Sequence, residues 1–231
     1  MKIRIKFEKT GRLKFIGHLD VMRTFQKIMR RAGIDILYSA GFSPHQKMTF
    51  ATPLGLGHES TGEYMDIEVG SIVPKNELLE RINAVSVPEL RVSDASLLPD
   101  DAKNAMSLLK AADYEVSFRE GYAFEDPDLF FSGLVSFFES DSIKVVKSTK
   151  KNEVEVDLKQ AVRMIKANDG KLFLQVDTGS QSNLKPELVI ETYLKSRGLS
   201  FDPVAFQVKR TELYGEIDGK LKSLLDFGTD F

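Results

Sequence analysis

The first eight residues restrict the fold more than any other segment. Lys2–Glu8 alternates strictly, with Ile3, Ile5 and Phe7 on one side and Lys2, Arg4, Lys6 and Glu8 on the other. That is the period of a half-buried strand. After a turn at Gly11 the period changes to that of a helix. From about Gly17 to Ala32 the residues Val21, Phe25, Ile28, Met29 and Ala32 share one face, and Arg23, Lys27, Arg30 and Arg31 lie in an opposite arc. Gly33 supplies the stop. A strand with one apolar face and a helix with one apolar stripe bury them against each other in a layered α/β core.

The rest of the first half extends this start. Extended segments are expected at 35–40, 47–52 and 63–69, a second helix from Pro74 to Asn83 and a strand over 90–97. Strand–helix–strand–strand–helix–strand is the split βαβ arrangement called ferredoxin-like. The order recurs after a polar linker. Tyr114–Arg119 reads as a strand, Asp126–Glu139 as a helix, and Ile143–Lys147 with Glu153–Leu158 as a strand pair. Pro186–Arg197 is then a helix and Val204–Arg210 a strand, while Val162–Val176 reads as an inserted hairpin turning at Asn168-Asp169-Gly170. The expected fold class is α+β, with two tandem ferredoxin-like domains at 1–98 and 113–212, a linker at 99–112 and a tail at 213–231.

Composition removes several chemistries. With no cysteine, disulfides, thiolate zinc sites, iron–sulfur clusters and cysteine nucleophiles are excluded, and no cofactor is implied. No apolar run reaches the ~20 residues of a membrane helix, and Met1 leads into a strand rather than a signal peptide. A cytoplasmic location without membrane contact is the expectation. Charge is uneven. Residues 1–50 hold 11 Lys/Arg against three Asp/Glu, or +8, and the remainder holds 21 against 31, or −10. This asymmetry fits an anionic partner for the first segment, or packing of that segment against the acidic remainder.

Candidate chemistry clusters in the same segment. His18, His45 and His58 show no zinc-binding spacing, and no metal site is expected. His18 opens the first helix on its apolar side, where a buried ring bonded to the neighbouring turn is the alternative to function. Tyr38–Gly57 is rich in Gly, Pro and polar residues and sets His45 and Lys47 beside strand ends. A metal-independent ribonuclease could use His18 or His45 as general acid/base beside Tyr38. Gly55-Leu56-Gly57 precedes a strand, not a helix, so tight turns explain it better than dinucleotide binding. Thr178–Glu187 places Lys185 ahead of a helix, where an anion could dock or where Ser182 or Asn183 could cap. The hairpin lysines Lys147, Lys150 and Lys151 could touch phosphate or remain solvated. Outward Lys2, Arg4 and Lys6 would face Tyr64, Asp66 and Glu68 across strands, which would neutralise part of their charge. The arc Arg23, Lys27, Arg30 and Arg31 has no such partner, and Arg12, Lys14, His45 and Lys47 line the neighbouring loops.

Several long motifs carry a resemblance: RLKFIGHLD at 12–20, RAGIDILYSAGFSPHQK at 31–47, FATPLGLG at 50–57 and GEYMD at 62–66. AMSLLKAADY at 105–114 extends it, with weaker matches in NLKPE at 183–187 and KRTELYG at 209–215. Together they resemble the bacterial radical-SAM-linked proteins, which occur as separate chains or fused to a radical S-adenosylmethionine protein. Asp35 and Gln46 stand where that family often has proline. The resemblance implies a radical-SAM protein as partner and, through the ribosomal-protein and ribonuclease genes that neighbour the family, a role in RNA metabolism. A chain without cysteine could not itself hold the partner's iron–sulfur cluster. Two tandem ferredoxin-like domains also resemble, in architecture alone, the CRISPR repeat-processing endoribonucleases.

Overall fold

Residues 1–148, 153–180 and 182–231 are described by a computed structural model. The chain is α+β and divides into two compact units, residues 1–110 with 210–231, and residues 111–209. Unit 1 begins with β1 (Lys2–Lys9), a 3₁₀ turn (Gly11–Phe15) and α1 (His18–Arg31). It continues with β2 (Met48–Phe50), β3 (Glu59–Glu68), α2 (Lys75–Ala84), β4 (Val92–Leu98) and the single turn α3 (Ala105–Leu108). These strands are ordered β4-β1-β3-β2, each antiparallel to its neighbour.

The core follows the two periods. Ile3, Ile5 and Phe7 pack against Val21, Phe25, Ile28 and Met29 of α1 and against Leu78 and Ile82 of α2. Phe7 meets Phe25 edge-on at 4.8 Å and Phe50 at 5.8 Å between ring centres. Burying each such side chain contributes roughly 1.5–3 kcal/mol. Residues 35–40 form no strand, against expectation. They make only the isolated bridges Ile36↔Val69 and Tyr38↔Gln46, because Gly41 turns the chain at φ +109 and Pro44 supplies no N–H donor.

Unit 2 runs through β5 (Ala111–Phe118), α4 (Pro127–Phe137), β6 (Lys144–Ser148), β7 (Glu153–Asp157), α5 (Leu158–Ala161), β8 (Val162–Asn168), β9 (Lys171–Asp177) and α6 (Pro186–Ser196). The first four residues of β10 (Phe206–Ile217) complete it. The roles of its two hairpins are the reverse of those expected. The 162–177 hairpin enters the sheet, ordered β10-β5-β9-β8, whereas β6 and β7 pair with each other in a separate two-stranded sheet. β9 pairs with β5 at seven consecutive positions, from Ala111↔Asp177 to Ser117↔Lys171. The hairpin turns as expected at Asp169 and Gly170, both at positive φ. Phe118, Phe130, Phe131 and Phe206 form its aromatic centre, with centroid distances of 4.9–6.0 Å.

The remainder of β10, from Arg210, returns to unit 1 and is followed by β11 (Lys220–Ser223) and a 3₁₀ turn (Leu224–Phe227). The segment after Leu213 is therefore structured, and with the 99–110 segment it covers the sheet face expected to be open. Arg4, read as an outward residue, is 0% exposed. Its guanidinium donates to Asp66 Oδ1 (2.7 Å) and Oδ2 (2.9 Å), and also to the carbonyls of Leu224 (3.1 Å) and Lys103 (3.2 Å). Beside it, Glu212 accepts from Lys6 Nζ (2.6 Å) and from the Tyr64 hydroxyl (2.5 Å). Burial and the Glu212 carboxylate push the Tyr64 phenol well above its ordinary range. Among the described residues no helix is long and apolar enough to cross a membrane.

Candidate functional site

One face of α1 is spent on the core, so the residues between its buried positions must face outward. Arg23, Lys27, Arg30 and Arg31 are all exposed, as the helical period requires. Arg23 has one carboxylate neighbour, Asp20 at 3.4 Å, an exposed pair worth little. Among the described residues Lys27, Arg30 and Arg31 make no ion pair. Arg30 and Arg31 also lie in the last helical turn, where cations complement the helix dipole. That structural role uses their charge without removing it from solvent.

The 38–47 loop is fastened beside this face. Gln46 is buried, and its Nε2 donates to the Gln26 carbonyl of α1 (3.2 Å) and to the Tyr38 hydroxyl (3.4 Å). Gln26 lies one helical turn from Arg23 and from Arg30, so Tyr38 is set beside the cationic arc. Gln46 Oε1 is buried without a partner. His45 is exposed, its Nδ1 2.9 Å from the Ser39 hydroxyl, which also accepts the His45 backbone N–H at 3.1 Å. Between these residues Phe42 projects fully into solvent.

The loop cations behave differently from one another. Arg12 is exposed, whereas Lys14 is 3.2 Å from Glu59 and Lys47 is 2.7 Å from Glu68. Phe15 and Leu19 are exposed near the start of α1, and Leu56 is exposed in the turn that Gly57 N–H ties to the Lys14 carbonyl at 2.8 Å. The exposure of Phe15, Phe42 and Leu56 has no signal in the local sequence, because whether a hydrophobic side chain is covered depends on tertiary packing.

His18 and His45 line different hollows. The His18 ring meets Phe50 edge-on at 5.3 Å, in a hollow of about 10 Å³ shared with Lys9 and Glu63. Lys9 is 2% exposed and donates to the Ile16 carbonyl at 2.9 Å, while Glu63 is held by Arg210 through bonds of 2.7 and 2.6 Å. Burial lowers the Lys9 ammonium from its ordinary value, opposed by the nearby Glu63 carboxylate and assisted by Arg210. Among the described residues no cluster of three His, Cys, Asp or Glu could hold a metal.

In unit 2, Lys185 is exposed and is itself the residue preceding α6, with no side-chain cap. Asn183 accepts from the Thr178 hydroxyl at 3.1 Å, and the N-cap position itself is taken by Lys185 rather than by Ser182 or Asn183. Lys150 and Lys151 lie outside the described residues.

No curated protein matches the chain significantly. A family model described as "Uncharacterized protein conserved in bacteria (DUF2344)" matches residues 2–186, most of the chain, and the protein belongs to that family.

Proposed function

We propose that this protein binds single-stranded RNA along the exposed face of α1 and presents it to a radical S-adenosylmethionine enzyme. The observation that carries the RNA part is the arc Arg23, Lys27, Arg30 and Arg31, which faces solvent with only Asp20 as a carboxylate neighbour among the described residues. Phosphates gain from such cations by counterion release. Tyr38 and Phe42, exposed on the loop fastened to the same helix, supply rings on which unpaired bases stack. Arg12 extends the cationic surface, and Lys14, His45 and Lys47 contribute at its edges. The enzyme partner is supported by the sequence resemblance, and the absence of cysteine leaves cluster chemistry to that partner.

The endoribonuclease alternative needs His18 and His45 to act on one bond. Because their rings line different hollows, RNA binding without cleavage is the better-supported reading.

Fluorescence anisotropy with labelled single-stranded RNA across a salt series tests the RNA reading. Four phosphate contacts give a slope of log affinity against log salt of about −3. Reversing Arg23 and Lys27 to Glu brings the slope toward zero and abolishes low-salt binding. Salt-independent binding, or none at low salt, overturns it. Copurification with a radical-SAM protein that survives nuclease treatment tests the partner.

A further inference from the structure

A cleft of about 380 Å³ opens in unit 1, between the edge strand β2 and the 98–104 segment. Its size falls within the range of small-molecule sites, roughly 300–1,000 Å³. Thr49, Asp66 and Glu68 line the sheet side, Leu98, Ala102 and Asn104 the opposite side, and Lys2 also lines the cleft.

The charges here do not cancel. Asp66 is matched by Arg4, and Glu68 by Lys47 at 2.7 Å. Lys2 Nζ donates only to the carbonyls of Asp100 (2.8 Å) and Ala102 (3.3 Å), and among the described residues it has no carboxylate partner. An ammonium carries three donors, so one remains uncommitted. Asn104 Oδ1 accepts from the Ser107 N–H at 2.9 Å, which orients the amide and leaves its NH₂ without a partner among the described residues. The Thr49 hydroxyl is exposed on β2 and likewise uncommitted. A concave site therefore combines one uncompensated cation, the uncommitted polar groups of Thr49 and Asn104, and an apolar side formed by Leu98 and Ala102, with His45 and Gln46 also on its lining.

We propose that this cleft binds a nucleoside monophosphate, its phosphate at Lys2 and its sugar and base over Thr49, Asn104 and Ala102. His45, Gln46 and Lys47 of the loop beside α1 also line the cleft, but Lys2, Thr49, Asn104 and Ala102 lie outside the RNA surface, so variants at Lys2 and Thr49 test this site apart from the RNA reading.

The test is titration calorimetry of the full chain with the four ribonucleoside 5′-monophosphates, and with inorganic phosphate as the control. At least one nucleotide should bind in the submillimolar range and inorganic phosphate far more weakly. Lys2→Ala removes a charge-assisted hydrogen bond and should weaken binding about tenfold or more. Thr49→Phe fills the cleft from an exposed strand position that tolerates aromatic residues, and should abolish binding while thermal unfolding is preserved. The Arg30→Glu/Arg31→Glu variant should bind the nucleotide as the wild type does, which separates this site from the RNA surface. No nucleotide binding at millimolar concentration, equal binding of inorganic phosphate, or binding undiminished in Thr49→Phe overturns the proposal.

Discussion

Arg4 grips Asp66 through two parallel hydrogen bonds of 2.7 and 2.9 Å across neighbouring strands, inside the protein rather than on its surface. The same two side chains also bind the Leu224 and Lys103 carbonyls and the Ala105 N–H, the last at 2.8 Å. They thereby tie the 99–110 segment and the C-terminal residues to the sheet. Removing one partner leaves the other buried and unpaired, at a cost of about 3–5 kcal/mol. Asp66→Ala should lower stability by that amount in denaturant unfolding. The Arg4→Met/Asp66→Leu double substitution should cost less than Asp66→Ala alone, and a double variant as unstable as the single one would contradict this account.

Gly133 opposes two general tendencies. In α4 an alanine would be favoured by helix propensity by about 1 kcal/mol. However, a Cβ at this position would strike the Tyr193 hydroxyl of α6. Overpacking of this kind costs about 1–3 kcal/mol, so the clash wins. Gly133→Ala should lower the melting temperature, and adding Tyr193→Phe should recover most of the loss.

The Arg4–Asp66 pair also marks how far the sequence could be read. Strict alternation puts Lys2, Arg4 and Lys6 on the same face as Tyr64, Asp66 and Glu68, and the structure adds the register, with Arg4 opposite Asp66 and Lys2 opposite Glu68. Alternation reports which side chains share a face, not whether anything covers it. The cover comes from residues about a hundred and two hundred positions away, around Lys103 and Leu224. The hairpins of unit 2 teach the same lesson, since both read as strand pairs and only the distant pairing of β9 with β5 selects one for the sheet. On α1 the cationic arc was legible because exposure there follows from the helix period alone. The full exposure of Phe42 and the anchoring of its loop by Gln46 were not, because both depend on tertiary contacts.

Lys9 should make stability depend on alkaline pH. Its folded pKa lies below the ordinary 10.5, chiefly through burial, so the unfolded chain binds the proton more readily. Stability attributable to this residue therefore rises with pH between its folded value and 10.5. Lys9→Met removes that term. The wild-type minus Lys9→Met difference in unfolding free energy should climb across this window, and a flat difference would place the ammonium in a water-like environment.

Tyr64 should act in the opposite sense. Its folded pKa is raised above the ordinary 10.0 by burial and by the Glu212 carboxylate. The stabilisation is complete below pH 10.0 and is lost as pH rises past it, because the unfolded phenol ionises first. The difference between wild type and Tyr64→Phe should accordingly fall above pH 10.0.

Gln46 provides a test of positioning at the proposed RNA surface. Its amide holds the 38–47 loop to the Gln26 carbonyl and the Tyr38 hydroxyl, yet it carries no charge. Gln46→Ala removes both bonds while leaving Arg23, Lys27, Arg30 and Arg31 in place. It also removes the unpartnered Oε1, so the effect on stability should be small. If Tyr38 and Phe42 stack bases, freeing the loop should weaken RNA binding by roughly the contribution of one stacked base, ~1–3 kcal/mol. The salt slope, set by phosphate contacts, should stay unchanged. A lower slope would place Gln46 in support of the cations instead, and unchanged affinity would remove the loop from the interface.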